Sequence, residues 1–316
     1  MWWLTRTTGC SVAMVCRVLG KPRRWLYYRR RSRRGRPLRR PELEESVRQL
    51  LGASPTSYGY RRIHALLKRR GVACNPKTVW RVLRRRGWLS TSRRRIIRSG
   101  RRHEGRVQVS EPNRRWASDI TRIRAWDGQR GRLAIMIDCA DRVVLAWRFA
   151  MRMTADDLTE MLREAIWHRF GGARTHARGI EFLSDNGPEY ASHRFQPFVR
   201  AMGLIPCHTP RRSPESNGLA EAFFGSFKRD YVYQACLETV EDVARQLPGW
   251  IKHYNHQAPH SALGMQSPAE CYAGWLVRNK TRLSKIKWGS TEPVSTHDCR
   301  RTSRFSRQAL GSLYRE

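Results

Sequence analysis

The chain has 316 residues, enough for one substantial core and one or two small accessory domains. Its formal net charge of +36 would repel itself in a compact state without a polyanion, so nucleic acid is the first partner to expect. No apolar run approaches the roughly 20 residues that span a bilayer, and polar residues interrupt the start, "MWWLTRTTGCSVAMVC", too often for a signal peptide.

The positive charge is concentrated near the start of the chain. Residues 1–106 contain 31 Lys and Arg against four acids, a net of +27 that leaves only +9 for the remainder. Arg-rich runs such as "RRRSRRGRPLRR" (29–40) are also explained as solvated segments or as the product of a GC-rich genome. That explanation accounts for Arg over Lys but not for the missing acids.

The eight cysteines include no C-x-x-C pair, so neither a zinc ribbon nor a disulfide framework is indicated. Cys139 and Cys207 fall in apolar stretches and are predicted to be small core residues. This cysteine usage fits a reduced cytoplasmic compartment, and we expect no membrane segment.

The first 90 residues are predicted to form two helical regions. Residues 1–40 are predicted to form a basic N-terminal segment, interpreted as a partial helix-turn-helix, in which Gly20 and Pro22 separate two short helices. Residues 41–90 form three helices. The last of them has Asn75 as its N-cap and Gly87 as its C-cap.

In that last helix Val79, Val82 and Leu83 form an apolar stripe, and basic residues occupy another face. This layout predicts a helix-turn-helix that binds DNA, with a basic surface helix as the alternative. The predicted DNA contacts of the module are Arg61, Arg62, Lys77, Arg81, Arg84 and Arg85.

After a basic linker at 91–112, the pattern changes to that of a catalytic core at 113–275. Three strand-like runs come first, then a helix, the strand "IEFLSD", a helix broken by Pro197, the strand "LIPCHT" and a long helix. Three antiparallel strands followed by alternating helix and strand predict a mixed α/β sheet covered on both faces. Residues 276–316 have no sustained period and are predicted to be a poorly ordered tail.

Three acids of the core are predicted to converge. Asp119 lies within the first strand, Asp185 ends the fourth strand and Glu221 lies in the first turn of the last helix. Helical phase separates Glu221 from Glu215, which we place in a loop. The phase predicts a core face of Leu219, Ala222, Phe223, Ser226 and Phe227, and a second face of Asn217, Gly218, Glu221, Gly225 and Lys228.

Carboxylates this close together need cations, because like charges raise each other's pKa. With no His or Cys beside them, they favour Mg²⁺ or Mn²⁺ over zinc, and two such ions suit phosphodiester chemistry. Taken singly, Asp185 also fits a turn residue and Glu221 a helix-dipole acid. Composition leaves other acids open as ligands: Asp138, Asp141, Asp156, Asp157, Glu181 and Glu189.

The motifs "WASDIT", "FLSDNGPEY" and "HTPRRSPESNGLAEAFFGSFKRDYV" resemble those of retroviral-integrase-like DDE transposases, specifically the second-frame (OrfB) product of bacterial insertion sequences. The 35 residues between Asp185 and Glu221 match the spacing of that family, and Lys228 follows Glu221 by seven. "HYNHQAPHSALGMQSPAECY" is similar to its closing segment, and "YGYRRIHALLKRRG…NPKTVWRVLRRRGWL" to its upstream helix-turn-helix. The likeness spans residues 42–272.

The resemblance implies a ribonuclease H-like α/β catalytic core preceded by an all-α helix-turn-helix module. It implies Asp119, Asp185 and Glu221 as a catalytic triad that binds two Mg²⁺ ions, with Mn²⁺ as a possible substitute. Asn186, Gly187, Asn217, Gly218 and Lys228 match motif positions around the site, with Asn186, Asn217 and Lys228 as expected DNA contacts.

The reaction that it implies is nicking at the element ends by water, then attack of the freed 3′-hydroxyl on another phosphodiester. The implied partners are double-stranded DNA (terminal inverted repeats and target), a first-frame OrfA protein or fusion, and further copies of the chain on DNA. Glu215 stands where relatives often have Gln, and the tail beyond about 275 matches nothing in the family.

Two other functions remain open at this point. A DNA-binding regulator would need only the basic N-terminal module. A ribonuclease H-like nuclease of repair or RNA turnover would leave the upstream helix-turn-helix and the "PHSALG" segment without a role.

Overall fold

In a computed structural model of the chain, the structure is described over defined stretches of residues. These are 2–23, 41–53, 58–89, 109–171, 177–185, 187–208 and 218–283. The chain divides into two compact units, residues 1–49 and 50–316, and each is described by itself.

The first unit contains short helices. Helix α1 covers Trp2–Thr8 and α2 covers Val12–Val18, where the Ser11 side chain caps α2 by accepting from the Met14 amide. Helix α3, Pro41–Ala53, begins at the predicted proline and runs across the division between the units. The helix expected after Pro22 falls mostly on 24–40, outside the described residues.

The second unit begins with a helix pair, α4 (Tyr60–Arg69) and α5 (Pro76–Arg86). The caps of α5 are those predicted: the Asn75 side chain accepts from the Lys77 amide, and Gly87 ends the helix in the left-handed region at φ 71°. The predicted apolar stripe of α5 is completely buried.

A five-stranded mixed sheet forms the core of this unit. Its spatial order is β3-β2-β1-β4-β5, with β1 antiparallel to β2, β2 antiparallel to β3, and β4 parallel to both β1 and β5. The strands are β1 Arg115–Arg124, β2 Arg130–Asp138, β3 Val144–Ala150, β4 Glu181–Ser184 and β5 Ile205–His208.

Hydrophobic clusters cover both faces of the sheet, and alternate residues of β1 separate them. Trp116 packs into the cluster with α6 and α7, whereas Ala117 packs into the cluster with α8 and α9. The mixed α/β sheet predicted from the sequence is therefore confirmed. The core helices are α6 Ala155–Phe170, α7 Phe195–Ala201, α8 Gly218–Asp230, α9 Val240–His256 and α10 Pro268–Leu283.

Helix α8 is rotated relative to the face predicted for it. Its buried residues include Phe224, whereas Ala222 is exposed and Leu219 and Ser226 are only partly buried. The cause is aromatic packing: Phe223 lies 5.4 Å from Phe224, 5.2 Å from Phe227 and 4.9 Å from Tyr254, measured between ring centroids. The side of α8 that carries Glu221 nevertheless stays exposed.

Three further expectations need correction. Pro197 does not break its helix, because α7 begins at Phe195 and places the proline in the first turn, where no intrahelical amide bond is needed. Cys139 is buried as predicted, but Cys207 is partly exposed. Helix α10 runs through the boundary predicted at 275 and ends at Leu283, whereas the rest of the predicted tail lies outside the described residues.

Arg69 connects the helix pair to the stretch that runs from the end of α9 into the first turn of α10. The Arg69 guanidinium donates to the carbonyls of Gln257 at 2.8 Å and Met265 at 3.0 Å, and to the Glu270 carboxylate at 2.6 Å. Three acceptors from one segment therefore meet a single side chain of α4. None of the helices in the described stretches is long and apolar enough to cross a membrane.

Candidate active site

Asp119 and Asp185 lie side by side on neighbouring parallel strands. Ala117 of β1 is in register with Leu183 of β4, and each aspartate follows its member of that pair by two residues. The period of two along a strand puts both on the face covered by α8. Asp119 is partly buried and accepts from the Ile120 amide at 2.7 Å, whereas Asp185 is exposed and accepts from the Gly187 amide at 3.1 Å.

Glu221 approaches this pair from the first turn of α8 and is exposed. A methyl group added at Gly218 or at Gly225, one turn to either side, would meet nothing within 4 Å among the described residues. The helix surface beside Glu221 is therefore open enough for a bulky ligand.

The three carboxylates interact electrostatically. Burial, together with the charges of Asp185 and Glu221, raises the pKa of Asp119 to about 6, against the opposing effects of the Ile120 amide and Lys228. Across the described ranges, no three His, Cys, Asp or Glu side chains are already arranged to hold a metal ion. The acids thus repel one another at present, and a hard divalent cation would relieve that repulsion.

Lys228 lies on the same side of α8, where its ammonium Nζ donates to Thr121 Oγ1 at 2.7 Å. Burial lowers the pKa of Lys228, and the Asp119 charge opposes that shift. Thr121 follows Asp119 by two on β1, so the lysine, the threonine and the aspartate share one face.

A buried hydrogen bond supports the strands from the opposite face. The Ser118 hydroxyl donates to the Ile135 carbonyl at 2.8 Å, and the hydroxyls of Ser118 and Tyr190 are 2.7 Å apart. Since the Ser118 proton is used on Ile135, Tyr190 is the donor in the second bond. Sequence reasoning missed this pair, although Tyr190 ends the quoted motif "FLSDNGPEY".

The other acids that composition left open have partners of their own. Asp138 and Asp141 are completely buried and pair with the Arg169 guanidinium, which stacks 4.0 Å above the Tyr272 ring. Asp157 completes the capping box of α6. The remaining three face arginines: Asp156 faces Arg194, Glu181 faces Arg115 and Glu189 faces Arg132.

The basic residues predicted to contact DNA differ in their surroundings. Arg62 Nη1 lies 2.6 Å from Asp230 Oδ2, and its guanidinium is 5.0 Å from the centroid of the Tyr58 ring. These contacts occupy the side chain and assign Arg62 to the junction between α4 and α8. The other five predicted contacts of the helix pair are exposed: Arg61, Lys77, Arg81, Arg84 and Arg85.

Asn186, Asn217 and Glu215 lie outside the described residues. Their expected roles stay predictions.

Two known families match the chain. Residues 109–214 and 203–268 match the Integrase core domain, and residues 38–95 match the HTH-like domain. The Integrase core matches cover the whole described sheet and the helix that carries Glu221.

Individual relatives agree. The chain is 35% identical to the transposase InsD for insertion element IS2 of Escherichia coli over 275 residues, covering 83% of this chain and 91% of that protein. It is 42% identical over 177 residues to an uncharacterized protein of insertion element IS136 from Agrobacterium fabrum, covering 55% of this chain and 90% of that protein. Among solved structures, it is similar to a chain of the simian T-cell lymphotropic virus intasome in complex with PP2A regulatory subunit B56 gamma, with 19% identity, TM-score 0.43, and coverage of 76% and 77% of the two chains.

A match at this identity over most of both chains, together with the Integrase core domain match over the mixed five-stranded sheet, shows a polynucleotidyl transferase core that acts in DNA transposition. The chain belongs to the family of insertion-element transposases with an integrase core domain.

Proposed function

We propose that Asp119, Asp185 and Glu221 form the catalytic site that cleaves DNA at the ends of an insertion sequence and transfers the freed strand to target DNA. In this proposal the three carboxylates hold two Mg²⁺ ions, and Mn²⁺ can replace them. Bound ions of this kind activate an attacking oxygen and stabilise a leaving one at a phosphodiester.

The observation that supports this proposal best is the environment of Asp119. Burial and two neighbouring carboxylates raise its pKa to about 6, and a structural role would not need a charge at this position. All the facing donors are carboxylate oxygens, which prefer magnesium or manganese to softer metals.

The other residues of the site would bind and orient the DNA. Lys228, held by Thr121 at 2.7 Å, presents a cation beside the acids and is proposed to contact a phosphate or base near the scissile bond. The open helix surface at Gly218 and Gly225 would admit the DNA backbone. Asn186 and Asn217 are proposed as further contacts from the flanking segments.

The helix pair is proposed to bind the terminal inverted repeats as double-stranded DNA. Its exposed basic residues fit phosphate contacts, since these neutralise charge along the duplex. Assembly of several copies on DNA, and cooperation or fusion with a first-frame OrfA protein, belong to the same proposal. The division predicted from the sequence is proposed with it: a module at 41–90, a linker at 91–112 and a core from 113, whose predicted end at 275 moves to the end of α10 at Leu283.

Strand transfer by purified protein tests the function. We expect end-bearing duplex DNA to be nicked and joined in Mg²⁺, alone or with the first-frame partner, and we expect Glu221→Gln to abolish both steps. Glu241→Gln is the matched control, because Glu241 is also an exposed glutamate in the first turn of a core helix. Full activity of Glu221→Gln would contradict the proposal.

The same assay distinguishes Glu221 from Glu215 as the catalytic residue. It also tests the two alternative functions. Glu215→Gln is expected to keep activity. A regulator would still bind DNA after removal of residues 113–316 and would tolerate Glu221→Gln, whereas a ribonuclease H-like nuclease would cut RNA–DNA hybrids and leave duplex ends intact.

A further inference from the structure

A groove next to the active site has the construction of a nucleotide-binding site. It has a volume of about 380 Å³, within the range of roughly 300–1,000 Å³ that ligand sites occupy. Ile123, Val232 and Leu237 form its floor and are buried at 2%, 5% and 3% exposure. The floor is therefore part of the hydrophobic core on the α8 side of the sheet.

Two large aromatic side chains flank this floor. Trp126, in the turn between β1 and β2, is 67% exposed, and Tyr233, in the 3₁₀ segment Val232–Gln234, is 72% exposed. The described residues cover little of either ring, although both line the groove. Exposed rings beside an apolar floor offer a stacking surface for another flat ring.

Backbone hydrogen bonds join the turn that carries Trp126 to the segment at Leu237. The Trp126 amide donates to the Leu237 carbonyl at 2.8 Å, and the Asp127 amide donates to the Glu238 carbonyl at 3.1 Å. Within the turn, the Ala125 amide donates to the Gln129 carbonyl at 3.0 Å. Both sides of the groove are therefore tied together before any ligand binds, which lowers the entropy cost of binding.

The rim of the groove is cationic. Arg122, Arg124 and Lys228 line it, and Lys228 is the residue that Thr121 holds beside Asp119. In the described ranges neither Arg122 nor Arg124 has an acidic side chain within ion-pair distance. Lys228 reaches the groove from the side of Ile123, whereas Arg122 and Arg124 alternate to the other side of β1 and line the groove at the end of the strand.

Cross-strand pairing adds to this charge. In the β1–β2 ladder Arg122 stands opposite Arg132, and Arg124 stands opposite Arg130. Like charges directly opposite one another destabilise a sheet, and among these four arginines the described residues give an acidic partner to Arg132 alone, namely Glu189. An external anion would compensate the remaining charges, and phosphate suits the guanidinium fork.

From these features we infer that the groove binds an unpaired nucleotide of the DNA held at the active site, with its base against Trp126 and Tyr233 and its phosphate at Arg122 and Arg124. The inference rests on the proposed function, because it takes the DNA at the acidic cluster as the source of that nucleotide. A base has a π-face whatever its identity, so the groove would accept any of the four.

Fluorescence of 2-aminopurine placed in the unpaired end of a short-overhang duplex tests this. The probe is measured with the full chain carrying Glu221→Gln, so that no turnover occurs, and with a blunt duplex of the same sequence. We expect the protein to quench the probe and to bind the overhang DNA more tightly than the blunt DNA.

Substitution of both rings, Trp126→Ala with Tyr233→Ala, is expected to abolish quenching and to weaken binding of overhang DNA about ten- to hundredfold, with blunt DNA unaffected. Trp126→Phe with Tyr233→Phe keeps two rings and should retain quenching. Trp167→Ala is the matched control, since Trp167 is also 67% exposed but lies on α6.

Replacement of Arg122 and Arg124 by Ala should weaken overhang DNA more than blunt DNA and reduce the salt dependence of overhang binding by about two units of slope. Unchanged quenching in the variant with Trp126→Ala and Tyr233→Ala overturns the inference, as does an equal loss of that variant's affinity for blunt and overhang DNA. Failure of the proposed function would appear separately, as strand transfer by Glu221→Gln, because the quenching assay needs no catalysis.

Discussion

Lys228 and Thr121 are joined across two elements of the core, with Nζ of the lysine on α8 2.7 Å from Oγ1 of the threonine on β1. The bond holds the ammonium beside Thr121, which follows Asp119 by two residues on β1. Lys228 also lines the groove that contains Trp126. One hydrogen bond therefore positions a cation that lies beside both the acidic cluster and the groove.

We expect Thr121→Val to lower the strand-joining rate about tenfold, because a hydrogen bond to a charged group contributes roughly 1.5–3 kcal/mol and this one is partly exposed. Lys228→Met removes the charge itself and is expected to cost about a hundredfold. Lys252→Met, at an exposed lysine of α9, is the control and should leave the rate unchanged. Equal rates for Thr121→Val and wild type would show that the lysine needs no anchor.

Asp119→Asn is expected to stabilise the metal-free protein while abolishing strand transfer. The folded-state pKa of Asp119 is about 6, above its ordinary value of 3.8, so its ionisation destabilises the fold as pH rises from about 4 through 6. At pH 7 the asparagine should therefore raise the free energy of unfolding by about 1–3 kcal/mol, and below pH 4 the gain should vanish.

Thermal unfolding at pH 3.5 and pH 7, with and without Mg²⁺, measures this effect. Mg²⁺ should raise the unfolding temperature of the wild type but not that of Asp119→Asn. A variant that is less stable than wild type at pH 7 would contradict the repulsion described at the site.

The buried pair Ser118 and Tyr190 should be energetically coupled. Tyr190→Phe removes a donor and is expected to cost about 1 kcal/mol of unfolding free energy, whereas Ser118→Ala leaves a buried phenol without its acceptor and should cost about 1–3 kcal/mol. A double-mutant cycle by denaturant unfolding should give a coupling of at least about 0.5 kcal/mol. Tyr233→Phe, at an exposed tyrosine, is the control, and additive losses would refute the coupling.

Arg62 is expected to affect the junction of the helix pair with the core rather than DNA affinity. Asp230 is only 4% exposed and accepts from Arg62 at 2.6 Å and from Arg229 at 2.7 and 2.9 Å. Arg62→Ala should cost about 1–2 kcal/mol and speed hydrogen exchange in α4. Asp230→Asn should cost more, about 2–4 kcal/mol, because it leaves two guanidinium groups partly buried without their charge partner.

Arg84→Ala provides the contrast on DNA. Arg84 is exposed and stacks on Trp80 with 5.1 Å between guanidinium and ring centroid, so its removal should weaken duplex binding and reduce the salt slope by about one. Arg62→Ala should leave the slope unchanged. A reduced slope for Arg62→Ala would restore it to the predicted DNA contacts.

Local patterns predicted the elements well where the signal lies in nearby residues. The caps Asn75 and Gly87 and the strand pattern of β1 are encoded within a few positions. The positions of the two aspartates also follow from local patterns, because each ends or lies within a recognisable strand. Helical phase separated Glu221 from Glu215, and the family's 35-residue spacing joined Glu221 to the two aspartates; the role of the three acids stays a prediction.

Sequence reasoning failed where the deciding contact is distant in the chain. The rotation of α8 depends on Tyr254, and the role of Arg62 depends on a carboxylate 168 residues away. Trp126 and Tyr233 are far apart in sequence and meet in one groove only because the backbone joins Trp126 to Leu237. No periodicity within a single element carries that information.

Arg69 has a consequence for evolution and for engineering. Its three acceptors all come from one stretch, between Gln257 and Glu270, so the surface of α4 and that stretch are fitted to each other. A chimera that takes the helix pair of one relative and the sheet of another would disrupt this fit unless it also took residues 257–270 from the donor of the helix pair. Two segments nearly 190 residues apart in the sequence would therefore have to be exchanged together.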